Sequence, residues 1–414
     1  MESVVNSVDS SITSQFQLKL APQNDFCTDR RMVRWYPQGS NVYSPAGVRL
    51  LRFSISPGAA EGWLDPYSVM MHFTVQNSGY NAAAPLDTRL HLANGSWCFF
   101  KRCRILCGGT LIEDISSWSR LYAMQMLFAP IGYQKDVAVA AGERGSIVNA
   151  TEKFAFVPLC GLLTQSKALP IRYMNLTIEL ELCDNFPDAL MENSLIGGGV
   201  SGQSNSYILE NVFITGETMT LDGSLDNEVT SHLLKGKSLS LSLQSWFTSQ
   251  HTVSQNWQIA LARAFTRIRG VYVNMLDSSQ DKEANTFRYP SISDSQFFEL
   301  QLQLGSKLFP EQKMSSLPEF FQKLQSAVGS HTSILSHSAI DLTGYKSDRF
   351  IAAIGMQKVL GDSEHSNFSG ISSKSGSLLS LRSAHSTSNI DQVFVVIHHD
   401  LVVQISESGV ECFD

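Results

Sequence analysis

Charge is scarce in this 414-residue chain. Asp, Glu, Lys and Arg make up 17% of it, and the formal net charge is -7. So little charge points to extensive buried or protein-facing surface. The negative balance argues against nucleic-acid binding by the surface as a whole, and leaves room only for a local basic patch. Long apolar runs are also missing: none approaches the ~18 residues of a membrane-spanning helix. The start, "MESVVNSVDSSITSQFQLKL", has neither the basic opening nor the apolar block of a signal peptide. The expectation is a soluble protein made in the cytosol.

Cysteine is sparse too, with seven residues, an odd number. The densest group is "CFFKRCRILC". On a strand, Cys103 and Cys107 share a face but lie about 13 Å apart at ~3.3 Å per residue. That is too far for a disulfide or a shared metal ion. Cys98 points to the opposite face. Small buried thiols in a reducing compartment are expected.

Catalytic signatures are absent or incomplete. "KGKS" (Lys235–Ser238) has the end of a phosphate-binding loop, but the upstream glycine falls at Ser231 and a strand, "LSLSL", follows instead of a helix. "GGGVSG" lacks a strand ahead and a helix behind. No G-x-S-x-G elbow or H-E-x-x-H pair occurs. His398 and His399 are adjacent, hence on opposite faces of a strand. Glu113 and Asp114 are explained by a helix start, whose dipole attracts acids. The N-x-[ST] matches at Asn94, Asn149, Asn175 and Asn367 are common by chance. No enzymatic activity, cofactor or metal is expected.

What the chain has is alternation. In "NLTIELEL", Leu176, Ile178, Leu180 and Leu182 share one parity, and Thr177, Glu179 and Glu181 the other. Side chains of a strand point to opposite faces in turn, so this strand has one oily and one wet face. "QFFELQLQLG" repeats the pattern with Phe298, Leu300, Leu302 and Leu304, and "KSLSLSLQSW" with Leu239, Leu241 and Leu243. "SVMMHFTVQN" and "FKRCRILCGG" are further strands. "DQVFVVIHHDLVVQIS" is apolar on both faces and reads as buried strands with a turn near His399-Asp400. Many short strands separated by Gly, Ser, Asn and Pro indicate an all-β protein of sandwiches or barrels.

Helices are few. In "SSLPEFFQKLQSAVGS", Ser316 and Glu319 fit a capping box. Phe320, Phe321, Leu324, Ala327 and Val328 form an apolar stripe, and Gly329 is placed to end it. "EDISSWSRLYAMQMLF" sets Ile115, Trp118, Tyr122 and Met126 at helical spacing after Asp114. The two fall in different halves, separated by the polar, turn-rich "TGETMTLDGSLDNEVTSHLLKGK" near 215–237. The halves show no clear repeat. "LIGGGVSGQSNS" (195–206) and "SEHSNFSGISSKSGS" (363–377) are loops by composition. The most basic stretch is "DRRMVRWYP", with Arg30, Arg31 and Arg34 beside Trp35 and Tyr36. It reads either as a solvated or packed arm, or as a contact with phosphate or a neighbouring subunit.

"VPLCGLLTQSKALPIRYMNLTIELEL" resembles a feature of viral double jelly-roll major capsid proteins, particularly those of polinton-like viruses, adintoviruses and virophages. There a proline-leucine segment and a short polar loop lead to a proline and an amphipathic strand. "FKRCRILCGGTLIEDISSWSRLY" is similar to the strand, Gly turn and Glu-Asp helix of the first jelly roll, and "YILENVFITGETMTLD" to its closing strand. "RFIAAIGMQKVLGDSEHSNFSGISSKSGSLLSLRS" and "VFVVIHHDLVVQISESGVECF" are similar to the close of the second. The resemblance covers most of residues 45–414, although the chain is short for the family.

It implies two consecutive jelly rolls, 45–215 and 236–414, joined by a linker at 216–235 and preceded by an N-terminal arm, 1–44. It implies a homotrimeric, pseudo-hexagonal capsomer of an icosahedral DNA-virus shell, located in the virion. Its partners would be neighbouring capsomers, a penton and minor capsid proteins, with weak or no direct nucleic-acid binding. The arm would run along the inner face of the shell, anchored by Trp35 and Tyr36. Arg30, Arg31 and Arg34 would meet a neighbour's carboxylates there. Two other readings fit an all-β chain: a β-sandwich ligand-binding or adhesion module, and a hydrolase with scattered catalytic residues. A shell in electron micrographs excludes the first. A pocket of converging acids and histidine would favour the second.

Overall fold

The structure, a computed structural model, describes residues 27–57, 62–85, 88–92, 95–130, 133, 147–183, 204, 206–277, 287, 297–328, 340, 342–347, 349–358, 370–374, 378–386 and 390–413. Residues 1–26, most of the two expected loops, Gly329, Asn94 and Asn367 lie outside them.

The first half is built from β1 (Cys27–Trp35), β2 (Val42–Tyr43), β3 (Leu50–Ile55), β4 (Trp63–Asn77), β5 (Leu90–His91), β6 (Phe100–Cys107), β7 (Thr110–Ile115), β8 (Ile147–Val148), β9 (Thr151–Phe156), β10 (Leu176–Leu182) and β11 (Tyr207–Leu221). One sheet runs β1-β11-β4-β9 and the other β3-β10-β6-β7. The second half comprises β12 (Leu239–Thr252), β13 (Asn256–Leu261), β14 (Ile268–Leu276), β15 (Phe298–Leu304), β16 (Lys307–Met314), β17 (Ala352–Gly355), β18 (Leu379–His385), β19 (Gln392–Ser406) and β20 (Gly409–Phe413). Its sheets run β12-β19-β14-β17 and β13-β18-β15-β16.

The two orders are the same order. Setting aside β2, β5 and β8 in the first half and β20 in the second, and taking the remaining eight strands of each half in sequence, the first pairs with the eighth, the eighth with the third and the third with the sixth. In the facing sheet the second pairs with the seventh, the seventh with the fourth and the fourth with the fifth. This is the jelly roll, two antiparallel sheets enclosing one core. The duplication that the residues do not display is therefore plain in the pairing of these eight strands, while β2, β5, β8 and β20 are particular to one half.

Alternation explains the core. Leu176, Ile178, Leu180 and Leu182 are buried, as are Phe298, Leu300, Leu302 and Leu304. Phe73 lies in edge contact with Phe99, Phe100 and Phe156 in the first core. Phe298, Phe320 and Phe350 cluster in the second. The fourth-to-fifth strand hairpin turns on glycine in both halves. Gly108 and Gly109 (φ 58° and 90°) and Gly305 (φ 59°) occupy the left-handed region that a side chain disfavours. The wet face of β10 is less wet than its alternation implies. Glu179 is buried there, between Arg52 at 3.1 Å and Arg104 at 3.6 Å on the flanking strands.

Helices α1 (Trp118–Phe128), α2 (Gly223–Leu234), α3 (Leu317–Val328) and α4 (Leu342–Ser347) join the strands. α1 and α3 each follow the fifth strand of their sandwich. Several local expectations are corrected. Glu113 and Asp114 belong to β7, and α1 starts only after Ser117 in a left-handed conformation. Glu319 reaches back to the amide of Ser315, one residue before the expected cap. The His399-Asp400 segment does not turn: β19 is one strand of 15 residues. Asp400 is tolerated inside it because Arg269 faces it at 3.6 Å. Cys98 sits in a 3₁₀ turn (Ser96–Phe99), ahead of β6. Residues 223–234 of the linker region are helical, capped by the Asp222 carboxylate accepting from the Ser224 amide. All seven cysteines fall among the described residues and none is in a disulfide.

Candidate functional site

Cys27–Trp35, which the sequence reading places in an arm ahead of the first sandwich, is that sandwich's first strand and pairs along β11. Only Val33 and Trp35 on its inner parity are apolar, because an edge strand buries little beyond its end. The alternation is too short to notice. Trp35 points into the core, where its indole donates to the Ser56 carbonyl at 3.4 Å. Arg30 pairs with Glu217 and, at 2.5 Å, with Asp65, both on the same outer face; hydrogen bonding to Glu217 holds its guanidinium pKa above the ordinary value. Arg31 is held by Asp29 at 2.5 Å. Arg34 lies 5.0 Å above the ring of Phe213. Tyr36 stands beside the same ring at 6.1 Å and is 65% exposed. His72 completes the group. It stacks on Phe213 at 4.8 Å and reaches the Thr215 hydroxyl at 3.0 Å. Partial burial, and then Arg34, push its pKa down. The structure thus gathers Arg34, Tyr36, Phe213 and His72 on one outer face. Trp35 belongs to the core, and Arg30 and Arg31 are neutralised within the chain.

The second sandwich carries the corresponding group. Trp246 on β12 stacks on His398 of β19 at 4.1 Å, and Tyr272 of β14 lies 5.9 Å from Trp246. This group is partly covered: Tyr272 is buried, and Trp246 and His398 are half-buried. Phe128 of α1 packs on Tyr272 at 5.8 Å, and the Tyr272 hydroxyl donates to the Ala327 carbonyl of α3 at 3.4 Å. Burial pushes the Tyr272 pKa up to about 12 and the His398 pKa well down.

Beside this cover the two sandwiches lock together. Glu113 on β7 is buried and accepts three hydrogen bonds: from the Gly161 amide at 3.0 Å, the Leu162 amide at 2.8 Å and the Ser245 hydroxyl of β12 at 2.5 Å. Burial raises its pKa. The Ser245 bond, the Leu162 and Gly161 amides and the nearby His399 act in the opposite direction. Ser116 and Thr248 exchange hydrogen bonds across the same seam, and the Thr110 hydroxyl donates to the Val410 carbonyl at 3.0 Å. A Cβ at Gly161 would collide with the Gln244 carbonyl oxygen.

Ser245, His399 and Glu113 are residue types of a nucleophilic triad. Here all three are buried, and the serine hydroxyl is committed to the carboxylate itself. The arrangement builds a seam and exposes no nucleophile. Sequence reasoning missed Glu113 as a structural residue because a helix start explains an acid equally well. Only the side-chain contact between β7 and β12, which lie in different sheets, reveals its role. Among the described residues, no group of three or more His, Cys, Asp or Glu is placed to hold a metal ion.

No family model matches the sequence, and no curated protein matches it. Solved structures do match. The PBCV-1 VP54 structure fitted into a reconstruction of the virophage Sputnik aligns with a TM-score of 0.66 at 9% identity, over 96% of this chain and 99% of that one. The Faustovirus major capsid protein aligns at 0.63 and 7% identity, over 97% and 94%. The Sputnik virophage structure aligns at 0.60 and 11%, over 97% and 92%. At such identities the likeness is one of fold, and it spans nearly the whole of each chain: this protein has the double jelly-roll fold.

Proposed function

We propose that this chain is a viral major capsid protein that forms trimeric, pseudo-hexagonal capsomers of an icosahedral shell. The observation that carries this reading is the duplicated strand order within one chain, with the two sandwiches joined at the Glu113 seam, together with near full-length similarity of fold to structures of viral capsid proteins. Two sandwiches per chain give six per trimer, so three chains present a six-sided footprint. Closed symmetry fixes the trimer, and lateral contacts between trimers extend the shell.

On this reading the protein resides in the virion. Its partners are its own copies, neighbouring capsomers, a penton and minor capsid proteins, and its contact with nucleic acid is weak or absent. Interfaces within the trimer should each bury well over ~2,000 Å², as obligate assemblies do. Sedimentation and electron microscopy of the purified protein test the proposal. Trimers with hexagonal outlines support it; a stable monomer at micromolar concentration rejects it. Changing Arg30, Arg31 and Arg34 together to alanine should leave the trimer folded and impair shell assembly, which sedimentation and electron microscopy read.

A further inference from the structure

The open face of the first sandwich can be compared, residue by residue, with the closed face of the second. β11 and β19 each contain 15 residues, and Phe213 and His398 hold the same place in them. On the first strands, Trp246 pairs with His398, and Tyr36 follows Trp35, which pairs with Ile214. Tyr36 with Phe213 is therefore the counterpart of Trp246 with His398. The elements that close the second face also have counterparts. β7 ends at Ile115 and is followed by Ser116-Ser117 before α1, and β16 ends at Met314 and is followed by Ser315-Ser316 before α3. Ile115 and Met314 are both buried, and Ser116 is the residue that bonds Thr248 across the seam.

Within one chain only one of the two seams is made. β7 meets β12. β1 has no strand on its outer edge, and β16 has none on its own, among the described residues. The unmade seam leaves both of its halves exposed. On one side are Met32 (68% exposed) and Tyr36; on the other are Leu308, Glu311, Gln312 and Lys313. On β7, by contrast, Ile112, Glu113 and Ile115 are buried.

We infer that the Tyr36–Phe213–His72 face and the open edge of β1 receive β16 and the Ser315-Ser316 turn of a second copy of this chain, repeating between chains the seam that β7 and β12 make within one. The inference rests on the trimer reading above and names the surface that would close it. The contact is head-to-tail, because donor and acceptor are different patches. It leaves one donor and one acceptor open on every dimer, and so propagates until a ring closes. Arg34 above Phe213 and Tyr36 beside it supply the residue types that concentrate binding energy in interfaces.

The test places the photo-reactive analogue benzoylphenylalanine at Tyr36 of the full chain. Sedimentation comes before irradiation, and the cross-linked peptides are mapped by mass spectrometry. The expected result is a trimer in which position 36 is joined to residues 307–328 of another copy. In parallel, Tyr36→Glu should move the trimer-to-monomer midpoint to at least ~tenfold higher concentration without changing the circular dichroism of the monomer. A trimer whose position 36 joins the same face of another copy, some other segment, or nothing between chains overturns the inference and leaves the trimer standing. A protein that is monomeric before irradiation overturns the trimer reading, and this inference with it.

Discussion

The two sandwiches share the pairing order of their eight jelly-roll strands and differ in what surrounds them. In the second, the outer face of the β12-β19-β14-β17 sheet lies under α1 and α3 and against the seam. In the first, the matching face of β1-β11-β4-β9 carries Tyr36 and Met32 in the open. The facing sheets differ in chemistry as well. Glu179 at the centre of β10 stands between Arg52 and Arg104. The matching place on β18 is Arg382, between Gln258 and Gln301. A charged residue stands at the centre of both strands, but its sign is reversed, and of the two Glu179 is the one flanked by opposite charges. The lesson is that pairing order is set by which parity is apolar, and the residues outside the core are free to take up different tasks.

Breaking the closed junction should cost most. Gly161→Val drives a side chain into the Gln244 carbonyl, and backbone must move to admit it. We expect ~3 kcal/mol or more of lost stability, measured by denaturant unfolding of the full chain. Glu113→Ala leaves two amides and the Ser245 hydroxyl without their acceptor; about 2–4 kcal/mol should be lost.

The same carboxylate gives the comparison a pH signature. Its folded pKa is raised, chiefly by burial. In the window between the ordinary carboxylate range and the raised value, the folded state holds more protons than the unfolded one, so stability rises as pH falls through that window. The stability of the parent relative to Glu113→Gln should increase on acidification from pH 7 toward the ordinary range. A difference that does not change with pH would contradict this account.

The aromatic pair sharpens the contrast between halves. Trp246→Ala removes a stacked, partly covered ring and should cost ~2–3 kcal/mol, whereas Tyr36→Ala should cost the isolated chain under ~1 kcal/mol. Unfolding midpoints of the two variants decide this. The smallest effect is expected at Arg30, whose ion pairs with Glu217 and Asp65 are open to solvent. Arg30→Ala should leave the Tm of the chain unchanged within error.

Much of this architecture is legible in the residues where one face alone is apolar. β10 and β15 read directly, because every second side chain is Leu, Ile or Phe and lies in the core. β19 misleads where it is buried on both faces. A His-His-Asp interruption looks like a turn until Arg269 and Trp246 supply its partners from strands far away in sequence. β1 is hidden for the opposite reason, since an edge strand has little to alternate. The arginine cluster is visible from composition, but the partners that neutralise Arg30 and the ring beneath Arg34 are 35 to 187 residues distant. The repeated hydrophobe-Ser-Ser before α1 and α3 emerges only once pairing shows which segments to compare.

The hydrogen bond from Thr110 to Val410 joins residues 300 apart in sequence. During synthesis, at roughly 5–20 residues per second, domains generally fold in order from the N-terminus. The first sandwich can then assemble well before its outer edge has anything to rest on. β12 must emerge to reach Glu113, and the segment around Val410 only later still. For that interval the nascent chain presents an unfinished sheet edge at β7, the kind of surface on which strands from other chains can add. Ribosome-bound intermediates stalled between β11 and β12 should be the species most in need of a chaperone.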